Sequence, residues 1–253
     1  MSTLIFGRGF VGKATAGILN CDIAWYDPAQ GYDQVDLRAV DRAIICVPTP
    51  DHKDGLDHSA VYECLNYLAN RGWVGPVAVR STSMPAAFDS MLSINANLVY
   101  WPEFLREARA AADAANPTQV VLGGSNEIVH QWRIGLCGMQ HAQSACWTLT
   151  DIKTAAMIKI GINSALAAKV MLFNSLYQAC QTAGADWASV RAGVGLDPRI
   201  ATGQTMVPGP DGYLGFGGKC LPKDIGALAD MLPDDRFLHG IIAQNAVVRN
   251  GIN

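Results

Sequence analysis

The stretch TLIFGRGFVG, residues 3–12, decides the fold, because an apolar run leads straight into three glycines with the spacing GxGxxG. Gly7 permits a tight turn, Gly9 lets the backbone approach a pyrophosphate, and Gly12 allows a helix to pack closely against a strand. A helix that begins at this turn directs N–H groups and the positive end of its dipole at a bound phosphate. The stretch therefore predicts a strand, a turn and a helix that bind a dinucleotide, whose contacts would also include Arg8, Phe10 and Val11.

Asp27 supplies the second half of this nucleotide-binding pattern. It follows a second apolar run, residues 23–26, and stands roughly 20 residues beyond the glycines, where a carboxylate accepts hydrogen bonds from the adenosine ribose. The same charge repels the additional phosphate of NADP, so the predicted cofactor is NAD. Asp27 precedes Pro28, and because Asp-Pro also opens turns, this residue has a purely structural alternative.

Beyond this stretch, short apolar runs alternate with amphipathic segments, which is typical of a parallel sheet with crossover helices. The predicted strands are residues 3–6, 23–26, 42–47, 77–80, 98–100 and 120–122, and the predicted helices are residues 12–19, 59–71 and 86–93. Residues 106–115 are predicted as a short helix or an ordered loop.

The pattern changes near Thr150. Residues 151–185 contain no proline and predict one long helix, with Thr150 or Asp151 as its N-cap. A short helix at residues 187–192, a glycine- and proline-rich loop at residues 207–218 and a helical region after Asp224 follow. The predicted fold is α/β: a Rossmann-like doubly wound parallel sheet in residues 1–150, then an all-α domain with one long helix in residues 151–253.

The composition narrows the class of protein. Half of the 253 residues are hydrophobic and 16% are charged, which predicts a sizeable buried core. The net charge of -3 provides no broad basic field, so nucleic acid is not an expected partner. The seven cysteines contain no CxxC pair and the five histidines have no ligand spacing, so no metal site is predicted. The start lacks a signal-peptide pattern, and polar side chains interrupt the apolar residues 158–180. We therefore expect a cytoplasmic protein without a membrane span.

The segment GFGGKCLPKD, residues 215–224, carries the nucleophile candidate. Cys220 follows a glycine-rich loop and stands near Lys219 and Lys223, a setting that is electropositive and accessible and that favours a thiolate. A small buried cysteine without chemical function is the alternative.

Six segments, in order, resemble motifs of the UDP-glucose/GDP-mannose 6-dehydrogenase family. Residues 215–224 resemble its signature loop. The others are ICVPTP at residues 45–50, the pair Ser81 and Thr82, PEFLRE at residues 102–107, KIGIN at residues 159–163 and LDPRI at residues 196–200.

The resemblance implies a four-electron, NAD-dependent oxidation of the C6 alcohol of a nucleotide sugar. Cys220 would trap the aldehyde as a thiohemiacetal, a second oxidation would give a thioester, and water would release the acid. Lys159 and Asn163 lie four residues apart, so both can face one oxygen and stabilise its developing charge. Asp224 would handle protons or hold the hydrolytic water, and Thr82 would position water.

The resemblance also assigns binding residues and an assembly. The implied cofactor residues include Val47, Pro48, Thr49, Ser81, Thr82 and Glu107. The implied substrate residues are Glu103, Phe104, Leu105, Glu107, Lys159, Asn163, Arg199, Tyr213, Phe216, Gly217 and Cys220. A homodimer built on the long helix is expected, because a helix with apolar residues on nearly all faces has more surface than the domain can bury.

Single residues have structural alternatives. Lys159 reads equally as a lysine whose charge reaches solvent at a helix surface, Asn163 as a buried amide, Glu103 and Glu107 as exposed acids, and Asp224 as a helix N-cap.

The function has alternatives as well. The resemblance implies a third domain that binds the nucleotide half, and no segment resembling it follows the central region here, so we expect either a naturally short version or a fragment. Trp101, Tyr213 and Lys219 depart from the asparagine, glycine and serine that are usual in the family. A two-electron dehydrogenase of the hydroxyacid kind and a catalytically silent NAD-binding module that dimerises are the competing functions.

Overall fold

The computed structural model describes residues 2–53, 55–137 and 144–251, apart from the side chain of Cys137. Two compact units divide the chain within its longest helix: the first extends to Lys159 and the second begins at Ile160.

The first unit is built on a seven-stranded sheet. Its strands are β1 (Ser2–Phe6), β2 (Asp22–Tyr26), β3 (Arg42–Ile45), β6 (Val77–Val79), β7 (Leu98–Tyr100), β8 (Gln119–Gly123) and β9 (Cys146–Thr150). They lie in the order β2-β1-β3-β6-β7-β8-β9. A small antiparallel pair, β4 (Asp51–His52) and β5 (Gly55–Leu56), lies outside this sheet. Strand β8 runs antiparallel to β7, whereas the other pairings in the sheet are parallel.

Helices cover both faces of this sheet, because the central strands are apolar on both sides. The helices of this unit are α1 (Phe10–Ala16), α2 (Ser59–Ala69), α3 (Ala87–Ile94), α4 (Ala110–Ala115) and α5 (Asn126–Cys137). On one face, Phe6 and Tyr100 pack with Leu65 of α2 and Phe88 of α3. On the other face, the intervening strand residues pack with Val129, Trp132 and Leu136 of α5. The predicted Rossmann-like class is therefore confirmed.

The six predicted strands are present, with small shifts at their ends, and residues 106–115 form a 3-10 turn at Glu107–Arg109 followed by α4. The sequence pattern does not predict β4, β5, α5 or β9. Strand β9 lies at the sheet edge and buries none of its five residues fully, so it lacks a continuous apolar run. Helix α5 contains Gly135 and mixes polar with apolar residues, which weakens its helical pattern.

The long helix is confirmed as α6 (Ile152–Ala183). Asp151 rather than Thr150 caps it, because the Asp151 carboxylate accepts the Thr154 N–H at 2.9 Å. Its first turns belong to the first unit, since Ile152, Ala155 and Ala156 pack in the sheet core. The compact division therefore falls later than the predicted domain boundary near Thr150, and that boundary remains a prediction.

The second unit is helical among the residues that the structure describes. It contains the remainder of α6, then α7 (Trp187–Gly195), α8 (Leu221–Met231) and α9 (Arg236–Arg249). Its core joins Ala167 and Met171 of α6 to Ile225 of α8 and Val248 of α9. Helix α8 begins three residues before Asp224, so this residue lies inside the helix. The sequence pattern had placed it ahead of the helix.

Helix α6 is the one described helix long and apolar enough to cross a membrane by length and composition alone. Half of its most apolar window is buried inside the protein. Because both units use it in their cores, we interpret α6 as a core helix, in line with the sequence-based prediction.

Candidate active site

The glycine turn connects β1 to α1 through positions that exclude side chains. Gly7 has the left-handed φ of 86°, and a Cβ there would lie 2.7 Å from the carbonyl oxygen of Cys46. A Cβ on Gly12 would overlap the carbonyl oxygen of Gly7. Gly9 is exposed, and nothing lies within 4 Å of the position of its missing Cβ. Open space in front of the Gly9 backbone is what a bound pyrophosphate needs, so the turn fits a dinucleotide.

Asp27 follows β2 directly and is held against this turn. Its Oδ2 accepts the Arg8 backbone N–H at 2.7 Å and the Gln30 side-chain amide at 2.8 Å. The fold also brings the Arg8 side chain beside Asp27's neighbours, with the guanidinium 4.8 Å from the Tyr32 ring centroid and 5.6 Å from that of Trp25. A basic residue thus lies near Asp27, which the sequence around Asp27 does not indicate.

The ends of β3 and β6 are tied together by side-chain hydroxyls. Ser81 Oγ donates to the carbonyl of Val47 at 2.6 Å, and Thr49 Oγ1 donates to the carbonyl of Thr82 at 2.8 Å. Ser81, Thr49 and Thr82 are buried, whereas Pro48 is exposed. In parallel sheets ligands bind beyond the carboxyl ends of the strands, and these residues lie at that edge.

Glu103 and Lys159 form a buried ion pair within the first unit. Lys159 Nζ donates to the Glu103 carbonyl at 2.7 Å and to its Oε1 at 3.2 Å, and Oε2 accepts the Leu105 N–H at 2.6 Å. Glu103 is 6% exposed and Lys159 is 2% exposed. The structural alternatives, an exposed acid and a lysine whose charge reaches solvent, therefore do not apply. The Phe104 ring centroid lies 5.5 Å from Nζ. An ammonium has three donors, and two are used here.

Glu107 is exposed, in contrast to Glu103. It lines an open groove together with Phe10 and Lys13 of α1 and Arg109 beside α4. The groove therefore borders the glycine turn and offers both charges.

Asp224 and Asn163 meet in the interior of the second unit. Asn163 Nδ2 donates to Asp224 Oδ2, and Lys223 Nζ lies 2.5 Å from Asp224 Oδ1. Asp224 is fully buried and Asn163 is 7% exposed. Asp224 does not cap α8, because Cys220 occupies the N-cap position.

Cys220 stands at the N-terminus of α8 and is half-buried. Its carbonyl accepts the Asp224 N–H at 3.0 Å, so the two residues share the first turn of the helix. The helix dipole stabilises a negative charge at this end. Two other thiols are poor nucleophiles, because burial raises the pKa of Cys46 to about 11 and that of Cys64 to about 12.

The other predicted substrate residues differ in their surroundings. Phe216 is 4% exposed and Gly217 is half-buried just ahead of Cys220, whereas Tyr213 is 61% exposed. The described hydrogen bonds of Arg199 are all with Asp197 in the same turn, on the protein surface. The sequence pattern marks Asn174 only as a polar position in the long helix and misses Asn245, and it does not indicate that both bond the backbone ahead of Cys220. Single asparagines carry no spacing pattern that could have indicated them.

Two models of one protein family match the chain. The model for the NAD binding domain of the UDP-glucose/GDP-mannose dehydrogenase family matches residues 31–134, and the model for its central domain matches residues 153–248. The glycine turn lies ahead of the first match, so its interpretation rests on geometry.

Individual relatives agree with this family. A UDP-glucose 6-dehydrogenase of Rickettsia bellii is 31% identical over 224 residues, which cover 83% of this chain and 50% of the relative. The chain thus spans about half the length of that relative. A UDP-glucose dehydrogenase structure from Pyrobaculum islandicum gives a TM-score of 0.81 at 22% identity, covering 99% of this chain and 68% of that one. A 3-hydroxyisobutyrate dehydrogenase structure from Mycobacterium tuberculosis gives 0.74 at 14% identity, covering 97% of this chain and 92% of that one. These structural likenesses show the fold.

Two glycine substitutions separate packing from cofactor binding. Gly12→Ala forces a methyl group against the Gly7 carbonyl and is expected to cost about 1–3 kcal/mol of unfolding free energy. Gly9→Ala meets no neighbouring atom, so its stability should stay within about 0.5 kcal/mol of the original protein. Its methyl group occupies the space in front of the turn, and the dissociation constant for NAD should rise by about tenfold or more. Thermal unfolding and NAD titration measure both effects. Unchanged NAD affinity in Gly9→Ala would contradict the assignment of the turn.

Proposed function

Because the chain belongs to the UDP-glucose/GDP-mannose dehydrogenase family and carries that family's NAD binding and central domains, we propose that it oxidises the C6 alcohol of a nucleotide sugar to the carboxylic acid. One observation carries this proposal: the nucleophile candidate Cys220 begins a helix whose first turn also holds a buried carboxylate, that of Asp224. UDP-glucose is the first substrate to test, because the relatives cited above are named UDP-glucose dehydrogenases.

NAD supplies the chemistry of both oxidations by accepting a hydride each time it is bound. The residues that would hold it are Gly7, Gly9 and Gly12 of the turn, Asp27 at the ribose, and Ser81 and Thr82 at the strand ends. The Ser81 hydroxyl already donates to the Val47 carbonyl and the Thr49 hydroxyl to the Thr82 carbonyl, so the lone pairs of these two hydroxyls remain as acceptors.

Lys159 stabilises the oxygen of the substrate carbon that reacts. Its ammonium is fixed by two hydrogen bonds to Glu103, which leaves one N–H for the substrate oxygen. A donor that is fixed before the reaction stabilises developing negative charge without the cost of reorientation. Asn163, one turn later on α6, adds an amide dipole in the same proposal.

Cys220 holds the carbon between the two oxidations. Its sulfur bonds to the aldehyde carbon, the carbonyl oxygen gains a proton, and a thiohemiacetal results. Loss of a second hydride and the hydroxyl proton gives a thioester. Water then adds to this carbonyl, the carbon–sulfur bond breaks, and the acid leaves with the water oxygen.

Asp224 is suited to the water step. Asn163 and Lys223 fix its two carboxylate oxygens, and the helix keeps it one turn from Cys220. A fixed acceptor can take a proton from the attacking water. In the same proposal, Thr82 positions water and Glu103 binds sugar hydroxyls.

The competing two-electron chemistry has one observation in its favour, the fold match to a hydroxyacid dehydrogenase of similar length. That chemistry requires no thiol, so the fate of Cys220 distinguishes the two. A catalytically silent NAD-binding module would not need the thiol either, so substitution of Cys220 tests this alternative in the same way. We propose a cytoplasmic location and a small-molecule substrate, without nucleic acid or membrane.

Cys220 is predicted to be required for turnover. Each turnover should yield two NADH and one acid without free aldehyde. Cys220→Ser should lower the turnover by several orders of magnitude, because a serine hydroxyl is a poorer nucleophile than a thiolate and its alkoxide is a poorer leaving group. Cys146→Ser is the control, since this exposed thiol lies on β9. NADH absorbance with product analysis measures both. A ratio of one NADH per substrate, or a Cys220→Ala variant with the original rate, would promote the two-electron reaction.

NAD should bind more tightly than NADP by at least about tenfold, because the Asp27 carboxylate repels a ribose phosphate. Asp27→Asn removes the charge but keeps an oxygen acceptor, so it should narrow the difference in affinity between NAD and NADP. The Arg8 side chain should then favour the ribose phosphate of NADP. Titration of both cofactors into both proteins gives the four dissociation constants. Equal or tighter NADP binding by the original protein would end this proposal.

The protein should be a homodimer through α6. This helix is 32 residues long and leaves Leu172 exposed to 58%, an apolar surface that a second copy can cover. Light scattering should give twice the chain mass of 27.0 kDa at micromolar concentration. A monomer mass there is incompatible with the proposal, and Leu172→Glu should shift a dimer toward that mass.

A further inference from the structure

The loop that leads to Cys220 is irregular and rich in glycine. Residues 207–218 form neither helix nor strand, and Gly212, Gly215 and Gly218 have left-handed φ values of 81°, 72° and 76°. Glycine loses more conformational freedom on ordering than any other residue. Because the loop still buries Gly215 and Phe216, their backbone groups need hydrogen-bond partners.

Two asparagine side chains provide those partners. Asn245 of α9 accepts the Phe216 N–H at 2.7 Å and donates to the Phe216 carbonyl at 3.0 Å. Asn174 of α6 accepts the Gly215 N–H at 2.9 Å, while its own amide is fixed by the Val170 carbonyl at 2.8 Å. One side-chain amide thus pairs with Phe216 as a neighbouring strand would.

Arg249 adds a third contact, one turn beyond Asn245 on α9. Its guanidinium pairs with Asp211 at 2.9 Å, donates to the Leu214 carbonyl at 3.4 Å and lies 5.3 Å from the Tyr213 ring centroid. The contacts therefore extend over residues 211–216.

The glycines of the loop are fitted to these side chains. A Cβ on Gly215 would collide with Asn245 Oδ1, and a Cβ on Gly217 would lie 2.5 Å from Arg249 Nη2. Glycine at these two positions makes room for α9, whereas a Cβ on Gly218 would meet nothing within 4 Å.

We propose that Asn245, with Asn174 and Arg249, is a positioning residue that fixes residues 211–217 and so orients the sugar-binding backbone and Cys220. None of the three needs to touch the reacting atoms. The effect on catalysis rests on the proposed function, whereas the ordering of the loop does not.

The test compares Asn245→Leu, which keeps the shape of the side chain and removes its hydrogen bonds, with Gln244→Leu, which alters the adjacent exposed residue. Hydrogen exchange by mass spectrometry on peptides covering residues 211–217 should be at least tenfold faster in Asn245→Leu and unchanged in Gln244→Leu. Equal exchange in the two variants overturns the proposal.

Kinetics with UDP-glucose separates positioning from general destabilisation. Asn245→Leu should raise the KM for UDP-glucose at least tenfold and leave the KM for NAD within twofold, because the glycine turn belongs to the other unit. Faster exchange with an unchanged KM for UDP-glucose overturns the positioning role. If the original protein does not oxidise UDP-glucose, the proposed function fails for that substrate, while the exchange measurement still decides the ordering of the loop.

A second variant applies if Asn245→Leu does not fold. Asp211→Asn weakens the Arg249 contact from an exposed side chain, so it should preserve the fold and speed exchange in residues 211–217 by a smaller factor, about threefold. An unchanged rate overturns the proposal for Arg249.

Discussion

The buried charge of Lys159 constrains how the first unit packs around the start of α6. A buried ammonium is costly unless it is paired, and Glu103 pairs with it through both a backbone carbonyl and a carboxylate. The pair binds the start of α6 to the segment after β7. The two bonds to Glu103 use two of the three ammonium donors among the described residues, so in the proposed function the third donor serves the substrate oxygen.

The same helix serves different purposes along its length. Its first turns complete the sheet core through Ile152 and Ala155, Asn163 bonds the carboxylate of Asp224, and Asn174 bonds the loop ahead of Cys220. A 32-residue helix with so few charges reads as a membrane span by composition alone. Three polar residues that interrupt its apolar surface, Lys159, Asn163 and Asn174, have buried partners. These bonds explain why a helix of this composition still packs against specific neighbours.

The sequence predicts the parts of this protein that depend on short-range patterns. The glycine turn, the six strands and α6 follow from spacing and periodicity, and Cys220 from its glycine-rich loop. Burial is a long-range property, so single residues could not distinguish a buried Glu103 from the exposed Glu107, although they stand four residues apart. For the same reason the bonds of Asn174 and Asn245 to the loop could not be predicted, since they are decided by how α6, α9 and the loop fold together.

Trp101 shows how a departure from the family pattern changes the interior. Its ring centroid lies 3.8 Å from the Arg80 guanidinium, whose Nε and Nη1 have no hydrogen-bond partner among the described residues. Burial lowers the pKa of Arg80, but an arginine remains charged. The face of the Trp101 ring stabilises this charge in place of a hydrogen-bond acceptor. An aromatic ring in place of an amide thus lets this cation stay buried immediately before Ser81.

A loop rich in glycine is a poor place for chemistry that needs fixed geometry, unless other elements supply the order that its own residues lack. Here the order comes from side chains of two helices, because an asparagine amide carries the same donor and acceptor as a peptide group and can pair with one. Glycine is then required for two reasons, the left-handed backbone at Gly215 and the close approach of Asn245 and Arg249. Glycine makes the loop flexible in isolation, and the same lack of side chains gives Asn245 and Arg249 of α9 the space to fix the loop in the folded protein.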